Sequence, residues 1–143
     1  MIRKAIRDKL LADAAVTADL PDYDFGGVEG TKKAIFAFDS VDEVPPQDAK
    51  HECIIIRPVD SEEFDTRGDH GGRLFYSVTL HVDRTRRNSR NLARLIWLSL
   101  DKSSLTHANF NIYGVLVDPP VAGGDRTAFP EYRMELTCLV EAK

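Results

Sequence analysis

Between residues 73 and 84 the chain alternates: Leu74, Tyr76, Val78, Leu80 and Val82 interleave with Phe75, Ser77, Thr79, His81 and Asp83. A period of two predicts a long strand with one apolar face and a second face that turns polar along its length. Residues 132–140 repeat the pattern. Tyr132, Met134, Leu136, Cys138 and Val140 share one face, and Arg133, Glu135, Thr137 and Leu139 the other. Residues 51–59 differ, because Cys53-Ile54-Ile55-Ile56 is a continuous apolar run closed by Pro58. Such a run predicts a strand buried on both faces. Shorter strands are predicted at 34–38 and at 112–117, the latter stopped by Pro119 and Pro120.

Two segments carry the helical period instead. Ile2, Ala5, Ile6, Leu10 and Ala14 form one stripe, which predicts a helix from residue 2 to about residue 15, with Pro21 barring continuation. Asn88 or Ser89 is placed to cap a second helix from 90 to about 100. Its stripe is Leu92, Leu95, Ile96 and Ser99, widened by Trp97 and Leu100. Residues 23–30, with Gly26, Gly27 and Gly30, predict a turn-rich connector, and residues 60–72 an acidic, glycine-containing loop. The resulting order is α-β-β-β-α-β-β. It predicts an α+β fold in which a mainly antiparallel β-sheet carries two α-helices packed on one face. The expected organisation is a single domain over residues 1–143.

Composition narrows the function classes. Of 143 residues, 43% are hydrophobic and 29% charged, the ordinary range for a globular chain able to bury a core. The net charge of −4 argues against a molecule built as a whole to bind nucleic acid. Its longest apolar runs, 53–56 and 95–98, are too short to cross a bilayer, and the first residues lack a continuous signal-peptide core. No membrane partner is expected. The two cysteines, Cys53 and Cys138, fall in predicted strands. They point to a reducing compartment and to buried thiols acting as small hydrophobes. A bridge between them would require neighbouring strands with suitable Cβ geometry.

Candidate chemistry is thin. His51 and Cys53 share one side of a strand, but two ligands do not make a zinc site. Asp65, Asp69 and His70 lie in the acidic loop at a spacing unlike that of a calcium loop. Arg67-Gly68-Asp69 matches a recognition tripeptide that recurs by chance. Ser61, His81 and Asp83 supply triad residue types without a nucleophile elbow. Gly26, Gly27, Gly30 and Lys32 depart from phosphate-loop spacing. Neither an enzyme, a cofactor nor a metal is expected.

Arginines are less evenly spread. Arg84, Arg86, Arg87, Arg90 and Arg94 crowd the start of the second helix, where the helix dipole disfavours cations by about 0.3–1 kcal/mol each. Arg90 and Arg94 share a face. An anionic partner would compensate them, either phosphates or an acidic patch of a neighbouring subunit such as Asp60, Glu62, Glu63 and Asp65.

In element order the chain resembles the tail-terminator and head–tail-joining proteins of long-tailed bacteriophages. The resemblance rests on the helix at 2–15, the strand at 34–38 and the run Ile54-Ile55-Ile56-Arg57-Pro58-Val59. It continues through the loop Phe64-Asp65-Thr66-Arg67-Gly68, the strand at 74–82, the helix at 91–100 and the closing Leu136-Thr137-Cys138-Leu139-Val140-Glu141. The resemblance implies a non-enzymatic virion subunit without cofactor. It implies a homohexameric ring that stops growth of the tail tube and meets the head connector. Under it, residues 62–73, and within them Glu62, Glu63, Asp65, Arg67, Asp69 and Arg73, would contact a neighbour or the tail-tube protein. The arginine cluster would meet a neighbour's acidic loop or face a lumen through which DNA passes. Three alternatives stand beside this reading. They are another neck or minor tail component, a small-molecule or enzymatic domain using His51, His81 and Asp83, and a nucleic-acid-binding module centred on the arginines, with steeply salt-dependent affinity.

Overall fold

The first alternating stretch forms the middle of the sheet. A computed structural model describes residues 2–40, 43–46, 52–59, 71–81, 89–122 and 131–143. In it, β5 (Gly71–His81) pairs antiparallel with β4 (Cys53–Pro58) on one side and β8 (Glu131–Ala142) on the other. β8 in turn carries β6 (Phe110–Val117) and the two-residue β7 (Val121–Ala122) on its far side. β3 (Ile35–Ala37) completes the order β3-β4-β5-β8-β6 by pairing parallel with β4, the one parallel pairing among the described strands. The chain is therefore α+β with an antiparallel-dominated sheet.

Alternation decides which face is covered. Leu74, Tyr76, Val78 and Leu80 of β5 and Met134, Leu136, Cys138 and Val140 of β8 all point to one face and are buried. Helices α1 (Arg3–Leu11) and α3 (Ser89–Leu100) pack on that face, contributing Ile2, Ile6 and Leu10, and Leu92, Ile96 and Leu100. Full burial of such side chains is worth roughly 1.5–3 kcal/mol each, so this layer holds the fold together.

Several elements depart from expectation. The first helix ends at Leu11 rather than near residue 15, and a short α2 (Ala14–Thr17) follows. Asp13 explains the break: it is extended (φ −93°, ψ 105°) and its carboxylate accepts from the Ala15 amide at 3.0 Å, capping a new turn. The expected connector at 23–30 proves to be the arms and turn of a hairpin, β1 (Asp22–Asp24) with β2 (Thr31–Lys33). Three-residue strands as polar as Thr31-Lys32-Lys33 carry no readable alternation. With α2, β1, β2 and β7 added, the described chain has three helices and eight strands, not the α-β-β-β-α-β-β order.

The hairpin gives β4 its second buried face. Tyr23 and Phe25 lie against Phe36 at ring-centroid distances of 5.1 Å, and these rings pack with Ala34, Cys53 and Ile55. Cys53 thus belongs to this small core and Cys138 to the large one on the opposite face. Both are free thiols, as small hydrophobes would be.

Candidate interaction surface

Beyond the hairpin, no described helix or strand covers the second face of the sheet. The strand registers arrange its side chains in rows. Arg73, Leu139 and Tyr113 lie across β5, β8 and β6, followed by Phe75, Thr137 and Leu116. Next come Arg57, Ser77 and Glu135, then Ile55, Thr79, Arg133 and Val121, and last Cys53, His81 and Glu131. Directly opposed side chains touch, so each row is a continuous strip. Within the first two rows, beside Arg73 and Thr137, lies an exposed apolar patch: Phe75 is 48%, Tyr113 47% and Leu116 56% accessible.

A bulge makes that apolar patch possible. The β6–β8 register shifts between Tyr113 and Leu116, where Gly114 adopts φ +62°. The extra residue resets the phase, so Ile112, Val115 and Val117 face the core while Tyr113 and Leu116 face out. Without the shift, Leu116 would point inward and Val115 outward.

The remaining rows carry charged side chains among apolar and neutral ones. His81 Nε2 lies 3.4 Å from Glu131 Oε2, and Arg133 Nη2 lies 3.5 Å from Glu131 Oε1. Arg57 donates from Nε to the Glu43 carbonyl at 2.8 Å. Burial lowers the pKa of Arg57 and the nearby Glu131 carboxylate opposes that shift, so the guanidinium stays charged. At the β7 edge a cleft of about 410 Å³ opens between Asp118, Pro119, Val121, Glu131, Arg133 and Glu135. Three acids there surround one arginine.

Half of the β6 edge is closed by α3. The Trp97 indole donates to the Val117 carbonyl at 2.7 Å, the Val117 amide donates to Asp101 Oδ1 at 3.0 Å, and the Lys102 amide donates to the Val115 carbonyl at 2.9 Å. This also accounts for Asp101, an acid at the helix end where the dipole disfavours it. Pairing of another strand along residues 115–117 is blocked.

The expected contact residues are divided. Arg73 is exposed on the second face, whereas Arg90 and Arg94 are exposed on α3, across the sheet from it. Glu62, Glu63, Asp65, Arg67, Asp69, Arg84, Arg86 and Arg87 lie outside the described residues, as do His51, Ser61, His70 and Asp83. His81 meets Glu131, a partner that only the β5–β8 register reveals. Sequence reasoning missed Arg57, Glu131 and Arg133 as a group. The polar phase of β8 was visible, but its neighbour was not. Among the described residues no group of three or more His, Cys, Asp or Glu side chains is arranged to hold a metal ion, and no helix is long and apolar enough to cross a membrane.

The architecture has solved counterparts. A chain from the virion of a native gene transfer agent particle shares it with a TM-score of 0.62 at 16% identity, over 98% of this chain and 92% of that one. A second solved chain, whose name carries no function, matches with a TM-score of 0.50 at 14% identity, over 99% and 94% of the two lengths. No family profile and no curated protein sequence matches. At these identities the likeness is one of fold.

Proposed function

We propose that this protein is a non-enzymatic structural subunit of a phage or prophage particle: a tail terminator or closely related tail-completion protein. In this reading it closes into a ring, as a homohexamer, at the head-proximal end of the tail tube. There it stops tube growth and joins the tail to the head connector. The observation that carries the reading is the fold shared, end to end, with a chain of a gene transfer agent virion. The element order that resembles tail terminators supports the finer assignment. A sheet face with an exposed apolar patch beside charged side chains is a surface suited to protein contact, since exposed apolar area of this kind marks interaction sites.

Deletion of the gene from its phage or prophage tests the proposal, with particles imaged after induction. A terminator predicts overlong tails and heads left unjoined, both corrected by supplying the chain. Tails of normal length that fail to join point to another neck component. Complete, infectious particles without the chain would refute a structural role.

A further inference from the structure

A second charged groove lies at the opposite edge of the sheet from the acidic cleft. The first turn of α1 sits beside β3, and Arg3, Lys4 and Arg7 line a groove of about 400 Å³ with Phe25, Glu29 and Asp39. Arg3 pairs with Asp39, and Arg7 Nη1 donates to Glu29 Oε1 at 2.7 Å. Arg7 is the unusual member. Its side chain is only 9% exposed and its guanidinium lies 4.7 Å from the Phe25 ring centre, yet Nε and Nη2 have no hydrogen-bond partner among the described residues. Buried donors of a charged group are costly to leave unmet. The helix end adds to the demand. Ile2 provides no side-chain cap and the first turn holds no acid, so the partial positive charge of the helix end adds to that of Lys4. Over the groove stands the β1–β2 turn. Gly26, Gly27 and Gly30 there have positive φ, which lets the turn bring Phe25 and Glu29 over Arg7.

We infer that this groove receives the acidic cleft of a second copy of the chain, Asp118, Glu131 and Glu135 of one subunit seating against Lys4 at the groove rim of the next. The inference rests on the self-assembling structural subunit proposed above and names the surfaces it would use. The two sites lie at the two ends of one sheet, β3 and β7/β8. The groove holds three cations against two acids and the cleft three acids against one arginine, so their local charges are opposite. A two-fold dimer built on either site would set like charge against like. A head-to-tail contact sets each against its complement and repeats, which is the geometry that closes rings. The unmet Arg7 donors are sealed in the wall of the groove, so Lys4, exposed at its rim, makes the contact.

Cross-linking of the full-length chain tests this directly. Lys4 and Glu135 are both exposed, and the native thiols are buried, so Lys4→Cys and Glu135→Cys copies each carry one reactive site. With a short bis-maleimide at high protein concentration, a mixture of the two variants should yield covalent dimers, and neither variant alone should. Equal cross-linking of Lys4→Cys with itself, or none in the mixture, would overturn the contact. As a second measurement, Lys4→Glu and Glu135→Lys should each weaken self-association about tenfold, and the two changes in one chain should restore it. Rings that tolerate both single reversals overturn this interface while leaving the structural-subunit reading intact. Particles that assemble normally without the chain overturn that reading instead.

Discussion

Trp97 and Val117 join the helix layer to the edge of the sheet: the indole donates to the Val117 carbonyl at 2.7 Å, and one turn on, Asp101 takes the Val117 amide. Both backbone polar groups of one edge-strand residue are thereby satisfied, by the side chain of Trp97 in α3 and that of Asp101 just after it. Trp97→Phe keeps most of the packing but leaves the carbonyl without its donor. We expect a loss of about 1–3 kcal/mol in urea unfolding, together with faster strand-mediated aggregation as the edge opens. Unchanged stability would show that the indole bond carries no weight.

Lys102 follows α3 in the left-handed region, at φ 58°. A side chain there costs about 1–2 kcal/mol relative to glycine, which reaches that region without strain. The amide bond from Lys102 to Val115 does not depend on the side chain. Lys102→Gly should therefore raise stability, by about 1 kcal/mol after the entropy of the freer unfolded chain is counted. Denaturant midpoints measure it.

Gly114 is the converse case. A Cβ added there would stand 3.5 Å from Leu139 Cδ1, an ordinary contact, so the penalty comes from φ +62° alone. Gly114→Ala should destabilise by about 1–2 kcal/mol. Backbone amide shifts in NMR spectra should move along β6 and β8 and little elsewhere. An alanine tolerated at no cost would mean that the bulge is not needed to turn Leu116 outward.

Burial raises the Cys53 thiol from 9.0 to about 12 and the Cys138 thiol to about 11. Neither should react with maleimide or a disulfide reagent in the folded protein, and both should react on unfolding. Because folding raises these pKa values, the protection is complete below pH 9. It is lost as pH rises through about 11 to 12, where the unfolded chain gains by ionising first. Alkaline unfolding should shift to higher pH in a Cys53→Ala, Cys138→Ala double variant once its neutral-pH stability is subtracted.

Glu29 behaves oppositely. Its hydrogen bond from Arg7, followed by the charge of Arg7, holds its carboxyl below the usual 4.5. A depressed acid stabilises the fold above its unfolded pKa and loses that contribution as pH falls through the lowered folded value. Glu29→Gln should flatten that part of the acid-unfolding curve. Because the side chain is half exposed, the change should shrink in high salt.

The long elements were legible because their periodicity runs for many residues. β5, β8 and α3 fall where alternation and the helical stripe place them, and the continuous Ile54-Ile55-Ile56 run is buried on both faces as its composition requires. The hairpin was not legible, since its cover of β4 depends on Tyr23 and Phe25 meeting Phe36 across the chain, and its strands are too short to show a period. The second face was half legible. Arg133 and Glu135 stood out as the polar phase of β8, but their neighbours His81 and Arg57 come from pairings between distant segments. Gly114 gave no warning of a phase change, because one glycine in a strand does not by itself specify a bulge. Arg7 lies off the apolar stripe of α1, and its burial comes from Phe25 and Glu29 packing over it, a contact between segments that no local pattern shows.

The pairing of β5 with β8 also sets when the molecule can fold. Gly71 meets Glu141 and His81 meets Glu131, so the two longest strands of the sheet join residues 50 to 70 positions apart. β8 is also the strand on which β6 and β7 hang. Until it has left the ribosome, β5 lacks one partner and α3 packs on half a floor. Contacts of such separation make folding slow and late rather than progressive. The rows that run from β5 across β8 to β6, with the apolar patch of Phe75, Tyr113 and Leu116, therefore come into being only when β8 docks.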